Sequence, residues 1–300
     1  MEITQLRKYI KEFLYFSEFG QGKKPNSIKS LKKDLEQFYE YFIIENMDFK
    51  EIDYLFLKEF IIFLQKNNVG KRSLNRKISS IRVFFRYLKD KDYIEKDPTI
   101  LLVSPSFETT TPDILTEDEI NRLRQVIDIE RCNGLRDRLI LELLYSSGIT
   151  STELLGVGES VFNLEKRELF VNNGKTSRIV FFSERTREFF RRYVEAKKIK
   201  YKEIYNKDIL FVNGSGTRLS DRSLRRLIDR YAAAAKIERE ISPYSFRHTF
   251  GVYMLMNGMK FLYLKELMGH SSIESTKVYQ ELVKKPRVID LLCRDKEIVE

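Results

Sequence analysis

Apolar residues recur at helical spacing through the first hundred positions. Ile3, Leu6, Ile10, Phe13 and Leu14 fall on one helical face. Leu31, Leu35, Phe38 and Phe42 repeat that spacing, Asp53 to Gln65 gives a third segment, and Leu74, Ile78, Ile81, Phe85 and Leu88 give a fourth. Gly20, Gly22 and Pro25 break the chain between the first two. The pattern predicts a small helical bundle over residues 1–103. Residues 104–113, Ser-Pro-Ser-Phe-Glu-Thr-Thr-Thr-Pro-Asp, carry no period and two prolines, and read as a linker.

A second domain is expected over residues 114–300. Thr116-Glu117-Asp118-Glu119 has the hydroxyl cap and acidic first turn of a helix start. Leu135 to Ser147 is a strongly apolar helix that stops at Gly148. Residues 168–182 change character: two β-prone runs flank Asn173-Gly174, a strong short hairpin signal. Helices are expected at about 184–198, 220–235, 245–257, 261–268, 273–282 and 286–296. The fold class is therefore mainly α with a small antiparallel sheet, in two domains.

Composition narrows the partners. Net charge is +10, and residues 1–103 hold 20 basic against 15 acidic side chains, leaving an equal excess for the rest. Basic halves of equal weight suit a protein that grips a polyanion with two domains. With 22 phenylalanines and 16 tyrosines the chain can bury a sizeable core. Two cysteines, Cys132 and Cys293, make neither a disulfide framework nor a zinc site. Two histidines, His248 and His270, speak against a His-based metal centre. No apolar run approaches the ~18 residues of a membrane span. The start, Met1-Glu2-Ile3, lacks the pattern of a secretory leader. These features predict a cytoplasmic protein without metal or cofactor.

The informative stretch is 242–280. Ser242-Pro-Tyr-Ser-Phe-Arg247-His248-Thr-Phe is followed by Leu267-Met-Gly-His270-Ser-Ser and Ser275-Thr-Lys-Val-Tyr279. It resembles the carboxy-terminal signature of the tyrosine recombinase (phage integrase) family, and within it the Xer-type bacterial site-specific recombinases. There the segments read His-x-x-Arg-His, Leu-Gly-His, and a tyrosine nine residues after that histidine. The spacing from His270 to Tyr279 is also nine. Arg136-Asp137-Arg138 and Glu142 to Gly148 look like the family's helix before its first catalytic arginine. The helical residues 1–103 look like its core-binding, SAM-like domain, and residues 114–300 like its catalytic domain.

The chemistry explains the residue types. A phosphodiester is a poor electrophile, and negative charge builds on it in the transition state, so fixed cations aimed at its non-bridging oxygens lower the barrier. A tyrosine hydroxyl can take over the phosphodiester and store its energy as a phosphotyrosine. The resemblance implies Tyr279 as nucleophile, Arg247 as bidentate phosphate clamp and His270 as donor to a non-bridging oxygen. It implies a supporting role for His248 on the DNA side of the site. Taken singly, each such residue is more often structural; the combined spacing is what points to a phosphate site.

Three family positions are altered. Gly148-Ile-Thr150-Ser-Thr-Glu153-Leu places Thr150 where the first catalytic arginine is expected. A hydroxyl offers one neutral hydrogen bond in place of a charged fork, a loss of roughly 3–4 kcal/mol in a dry site. Asn173 takes the place of the family's hairpin lysine, and Lys175, two residues on, is the candidate general acid for the leaving 5′-oxygen. Tyr244 replaces the first histidine of His-x-x-Arg; it can donate to a phosphate but is no titrating base near neutrality. Arg178, Lys175 and the arginines of 222–226 are near in sequence, none an obvious substitute for the lost arginine. The departures leave open a catalytically weakened recombinase-like DNA-binding protein, natural or engineered. An ordinary helix-turn-helix regulator would explain the charge but not the 242–280 signature.

Two basic helices are candidate DNA contacts. One carries Lys71, Arg72, Arg76, Lys77, Arg82 and Arg86 opposite its apolar stripe; the other carries Arg222, Arg225, Arg226 and Arg230. Val288, Ile289, Leu291 and Leu292 lie among charges in the tail. In related recombinases the last helix passes to a neighbouring subunit. The resemblance thus implies a homo- or hetero-tetramer on double-stranded DNA, with a partner recombinase or a DNA translocase as further candidates and no membrane partner.

Overall fold

The computed structural model describes residues 2–106, 113–172, 177–270 and 272–284. The chain forms two compact units, Met1–Thr109 and Thr110–Glu300. The expected helix at 286–296 and most of the expected linker lie outside the described residues.

The first unit is built from four helices, α1 (Glu2–Tyr15), α2 (Pro25–Ile44), α3 (Tyr54–Lys66) and α4 (Lys71–Asp90). Each turns its apolar stripe inward, and Leu6, Phe13, Leu35, Phe38, Phe60, Ile78 and Phe85 are buried together. Phe38 stands edge-on to both Phe60 and Phe85, at ring-centroid distances of 5.3 and 5.9 Å. Pro25 does not merely break the chain. It is the first residue of α2, where its fixed φ suits the helix and its missing N–H costs nothing. The α3 start is capped by Asp53, whose Oδ1 accepts from the Phe56 N–H at 2.9 Å.

The basic face of α4 is only partly open. Asp34 of α2 is buried, and it binds Lys77 Nζ at 3.2 Å, Ser80 Oγ at 2.8 Å and the Arg76 guanidinium. Lys77 is therefore a buried residue and not part of the outer face where its charge placed it. A carboxylate out of water needs such partners, and α4 supplies them. Arg82 is also engaged, with Ser104 Oγ at 3.1 Å and the Leu102 carbonyl. Arg72 and Arg86 are exposed.

The second unit holds α5 (Glu117–Gln125), α6 (Cys132–Ser147), α7 (Ser151–Gly156), the strands β1 (Phe162–Asn163), β2 (Glu168–Asn172) and β3 (Ser177–Phe181), then α8 (Glu184–Tyr201), α9 (Asp221–Ala234), α10 (Pro243–Met256), α11 (Phe261–Met268) and α12 (Glu274–Lys284). Thr116 and Glu119 form the expected capping box of α5. Helix α6 is buried on nearly all sides, as its continuous apolar sequence implies, and it packs against α8 and α10. Of its two buried carboxylates, Glu142 is held by Arg124 and Arg138 at 2.8–3.0 Å. The chain leaves α6 through Gly148 at φ +61°, and a Cβ there would sit 2.3 Å from the Phe250 ring. Only glycine satisfies both demands.

The strands form an antiparallel sheet in the order β1-β2-β3. Leu169 pairs with Val180, Val171 with Arg178 and Asn172 with Ser177. Leu169, Val171 and Val180 face the core, while Phe170, Ile179 and Phe181 are exposed. Arg178 is in phase with Val180, so this register turns the arginine inward. Asn173 and Lys175 lie outside the described residues. Among the described residues no helix is long and apolar enough to cross a membrane.

Candidate active site

Helix α10 starts at Pro243, with Ser242 and Ser245 closing a capping box around its first turn. Four residues after Pro243, Arg247 points into the protein and is 5 % exposed. Its Nη1 donates to the Gly148 carbonyl at 2.5 Å and its Nη2 to the Met268 carbonyl. One guanidinium thus ties together the carboxy-terminal ends of α6 and α11. Burial pulls its pKa below the usual arginine value.

Tyr279 comes from α12 and is 2 % exposed. Its ring lies against Gly251 of α10, where a Cβ would approach two ring carbons to 3.1 Å. Its hydroxyl lies 3.1 Å from His248 Nδ1. Burial pushes the phenol up to about 12, and the Arg247 charge works against that rise. At neutral pH Tyr279 is therefore a phenol, not a phenolate.

His270 follows Gly269, which ends α11 at φ +67°. Its Nδ1 meets Thr276 Oγ1 at 2.7 Å, and its ring stacks 6.1 Å from that of Tyr279, at 11°. Burial, and then the charges of Arg247, Arg178 and His248, push its pKa down to about 4. A histidine lowered in the fold contributes stability that is present above the unfolded value of about 6.5. That stability is lost as pH falls toward 4, because over this window the unfolded chain binds the proton first. His270→Gln is expected to flatten the loss of stability between about pH 6.5 and about pH 4.5, read by urea unfolding at both pH values. An unchanged slope would show that His270 is not the group titrating.

The position expected to hold an arginine has a different arrangement. Thr150 caps α7: its Oγ1 accepts from the Glu153 N–H at 3.2 Å, and its own N–H donates to Glu153 Oε2 at 2.9 Å. The same carboxylate receives Arg178 from β3, Nη1 to Oε1 at 2.5 Å and Nη2 to Oε2 at 3.0 Å. Arg178 Nε donates to the Leu267 carbonyl at 2.7 Å. Gly269 makes room for this arginine, since a Cβ there would meet its Nη1 at 2.8 Å. Burial alone would raise the Glu153 carboxyl, yet the Arg178 and Thr150 hydrogen bonds hold it below the usual range. Arg178 thus enters the pocket of Arg247 and His270, with its charge matched by Glu153. Among the described residues of this cluster, the fixed charge left over is that of Arg247.

The structure therefore brings Arg247, His248, His270 and Tyr279 into one pocket, with Thr150 at its edge through Glu153 and Arg178. It does not bring Tyr244 in: that side chain is 53 % exposed, with its ring 6.1 Å from the His248 ring.

Comparison with known proteins agrees with this pattern. The Phage integrase family profile matches residues 113–285, and the profile of the phage integrase N-terminal SAM-like domain matches residues 10–92. The chain belongs to the phage integrase family. Among its relatives is the tyrosine recombinase XerC of Thermodesulfovibrio yellowstonii, 30 % identical over 281 residues and 92 % of each chain. The tyrosine recombinase XerD of Staphylococcus epidermidis is 32 % identical over 279 residues, 92 % of this chain and 94 % of its own. The fold matches XerH bound to palindromic difH DNA in a post-cleavage complex, with a TM-score of 0.73 at 19 % identity over 96 % of this chain and 83 % of that one. It also matches the Tn1549 transposon integrase in complex with transposon right end DNA, with a TM-score of 0.71 at 21 % identity over 93 % and 94 %.

The clustered residues are spread over several elements, and the partners that hold them were harder to read. Glu153, Arg178, Thr276 and Gly251 position the four clustered residues, and sequence reasoning assigned a role to none of them. Arg178 carried one legible signal, its period-two phase with Val180. Outside the pocket, Arg222, Arg225 and Arg226 are exposed on α9, with Arg225 also bound to Asp221 at 2.9 Å. Arg230 is tied to buried Asp137 at 3.2 Å, beside Tyr231.

Proposed function

We propose that this protein is a site-specific DNA recombinase that cuts and rejoins strands through a 3′-phosphotyrosine link at Tyr279. The observation that carries the reading is the convergence of Arg247 on α10, His270 just after α11 and Tyr279 on α12 in one cluster of a phage integrase fold. In this reading a scissile phosphate enters beside Arg247, whose guanidinium is already oriented by two carbonyls and so loses little freedom on binding. His270, neutral and oriented by Thr276, donates to a non-bridging oxygen. The tyrosine oxygen bonds to phosphorus as the bond to the 5′-oxygen breaks, and that oxygen leaves as a hydroxyl, with Lys175 as candidate acid. Attack by a 5′-hydroxyl of the partner strand reverses the step, so the bond energy is conserved.

The rest of the assembly follows the same reading. Residues 1–103 act as a core-binding domain and 114–300 as the catalytic domain, joined by 104–113. Arg72, Arg76, Arg82, Arg222, Arg225 and Arg226 contribute phosphate contacts, and those of Arg76 and Arg82 compete with the internal partners described above. The working unit is a tetramer of this chain, alone or with a partner recombinase, in the cytoplasm. The alternative, a recombinase-like protein that binds DNA without cutting, draws on Thr150 and Asn173. It is less well supported, because Tyr279, Arg247 and His270 lie close together.

The test is a nicked suicide duplex built on the site this protein selects from a library of randomised duplexes. A label on the 5′ end of the cut strand is expected to remain on the protein through denaturing electrophoresis, and a 3′ label to leave with the fragment bearing a free 5′-hydroxyl. The reverse pattern would contradict the 3′ linkage, and labelled protein in neither case would contradict the function.

A further inference from the structure

Helix α10 carries Tyr244, His248 and Gly251 at positions i, i+4 and i+7, one side of the helix. Gly251 lets the Tyr279 ring lie against the helix backbone, and this seating is what brings the phenolic oxygen to 3.1 Å from His248 Nδ1. A phenol that stays protonated at neutral pH is the donor in that pair. His248 Nδ1 is then the acceptor and the ring proton sits on Nε2. Among the described residues no other group is so placed. His270 spends its Nδ1 on Thr276, and its ring lies alongside that of Tyr279. Tyr244, which stands where the family pattern has a histidine, is largely in solvent, with its ring 6.1 Å from that of His248.

We propose that His248 is the general base of the cleavage step. This rests on the reading of Tyr279 as the nucleophile. The Tyr279 O–H bond breaks as the oxygen bonds to phosphorus, and the proton passes to His248 Nδ1. The leaving 5′-oxygen takes its proton from a different group, so His248 does not serve both ends of the displacement. On religation the phosphotyrosyl bond breaks and the imidazolium returns its proton to the phenolate.

The groups around His248 fit this cycle. Arg247 stands next to it in the chain, Asp113 faces it from before α5, Tyr244 and Tyr279 flank its ring, and His270 lies across the pocket. Burial and then Arg247 lower its pKa in the free protein, with Asp113 acting the other way, so it waits as a neutral base. A phosphate bound at Arg247 would offset the arginine's repulsion and favour the imidazolium at the moment it forms.

The experiment measures single-turnover cleavage of the suicide duplex by His248→Asn and His248→Ala, in the native chain and in a Thr150→Arg background. Asparagine keeps an acceptor near the Nδ1 position but cannot take the proton; His248→Gln supplies a second shape. Each variant is first matched to its parent in duplex binding. All three substitutions are expected to slow cleavage by about 10²–10⁴-fold and to remove the acid limb of the pH–rate profile. A duplex with a 5′-bridging sulfur at the scissile position needs no proton on its leaving group, and is expected to leave the defect in place. Parental rates from asparagine, an intact acid limb, or rescue by sulfur would each overturn the assignment. A parent that forms a covalent complex while these variants match it refutes His248 alone. No covalent complex from either parent refutes the recombinase reading and this proposal with it.

Discussion

Thr150→Arg is expected to raise the rate of strand cleavage by about two to three orders of magnitude. The reason is a charge count within one pocket. Arg178 enters the pocket, but Glu153 binds it through both carboxylate oxygens and matches its charge. Among the described residues, Arg247 is then the remaining fixed cation to meet a phosphate whose charge grows in the transition state. A second guanidinium at position 150 restores a charged fork where the chain has a capping hydroxyl. The substitution also has a cost. Thr150 closes a capping box with Glu153 at the start of α7, and loss of such a cap destabilises by about 1 kcal/mol. The variant is therefore expected to be faster in single-turnover cleavage and slightly less stable to urea. Unchanged cleavage with normal DNA binding would show that the site does not lack a cation.

Arg247→Ala is expected to move in the other direction. In the proposed function this side chain clamps the phosphate, and losing such a donor from a dry site costs about 10²–10³ in rate. It also leaves the Gly148 and Met268 carbonyls without their guanidinium partner at the ends of α6 and α11. Each buried acceptor left unpaired costs about 1–3 kcal/mol, so the unfolding midpoint should fall with the rate. Arg247→Lys separates the effects: an ammonium keeps the charge but cannot hold two carbonyls and a phosphate in one plane. Expected cleavage is Arg above Lys above Ala. An alanine variant within tenfold of the native chain would remove Arg247 from the catalytic role.

Much of the fold was legible because its elements are long and patterned. The four amphipathic helices of the first unit, the all-round apolar α6 and the β2-β3 hairpin each announce their period. The hidden parts fall into two kinds. Helix α7 has six residues and β1 has two, too few to show a period, and the π-helical turn Phe16–Gly20 interrupts no apolar stripe. The others are charges that face inward. Lys77 read as part of an outer basic face and Arg178 as no obvious substitute for the lost arginine, and only a partner distant in sequence, Asp34 for one and Glu153 for the other, makes their burial favourable.

The candidate site divides the same way. Tyr279, Arg247 and His270 could be named from motif spacing alone, since the residues that bear on a phosphate are few and chemically constrained. What seats them could not. Gly251 matters for the absence of a side chain beneath the Tyr279 ring, and Thr276 for orienting an imidazole six residues back. Such roles depend on packing between helices, which no single stretch of sequence displays.

The central claim is that Tyr279 becomes covalently joined to DNA. The most direct measurement is peptide mass spectrometry of the denatured complex trapped on a suicide duplex, after protease and nuclease digestion, for the native chain and for Tyr279→Phe. The account predicts a nucleotide remnant on the peptide containing Tyr279, attached through the phenolic oxygen, and no adduct in the phenylalanine variant. An adduct on another residue, or one that persists without the Tyr279 hydroxyl, would contradict it.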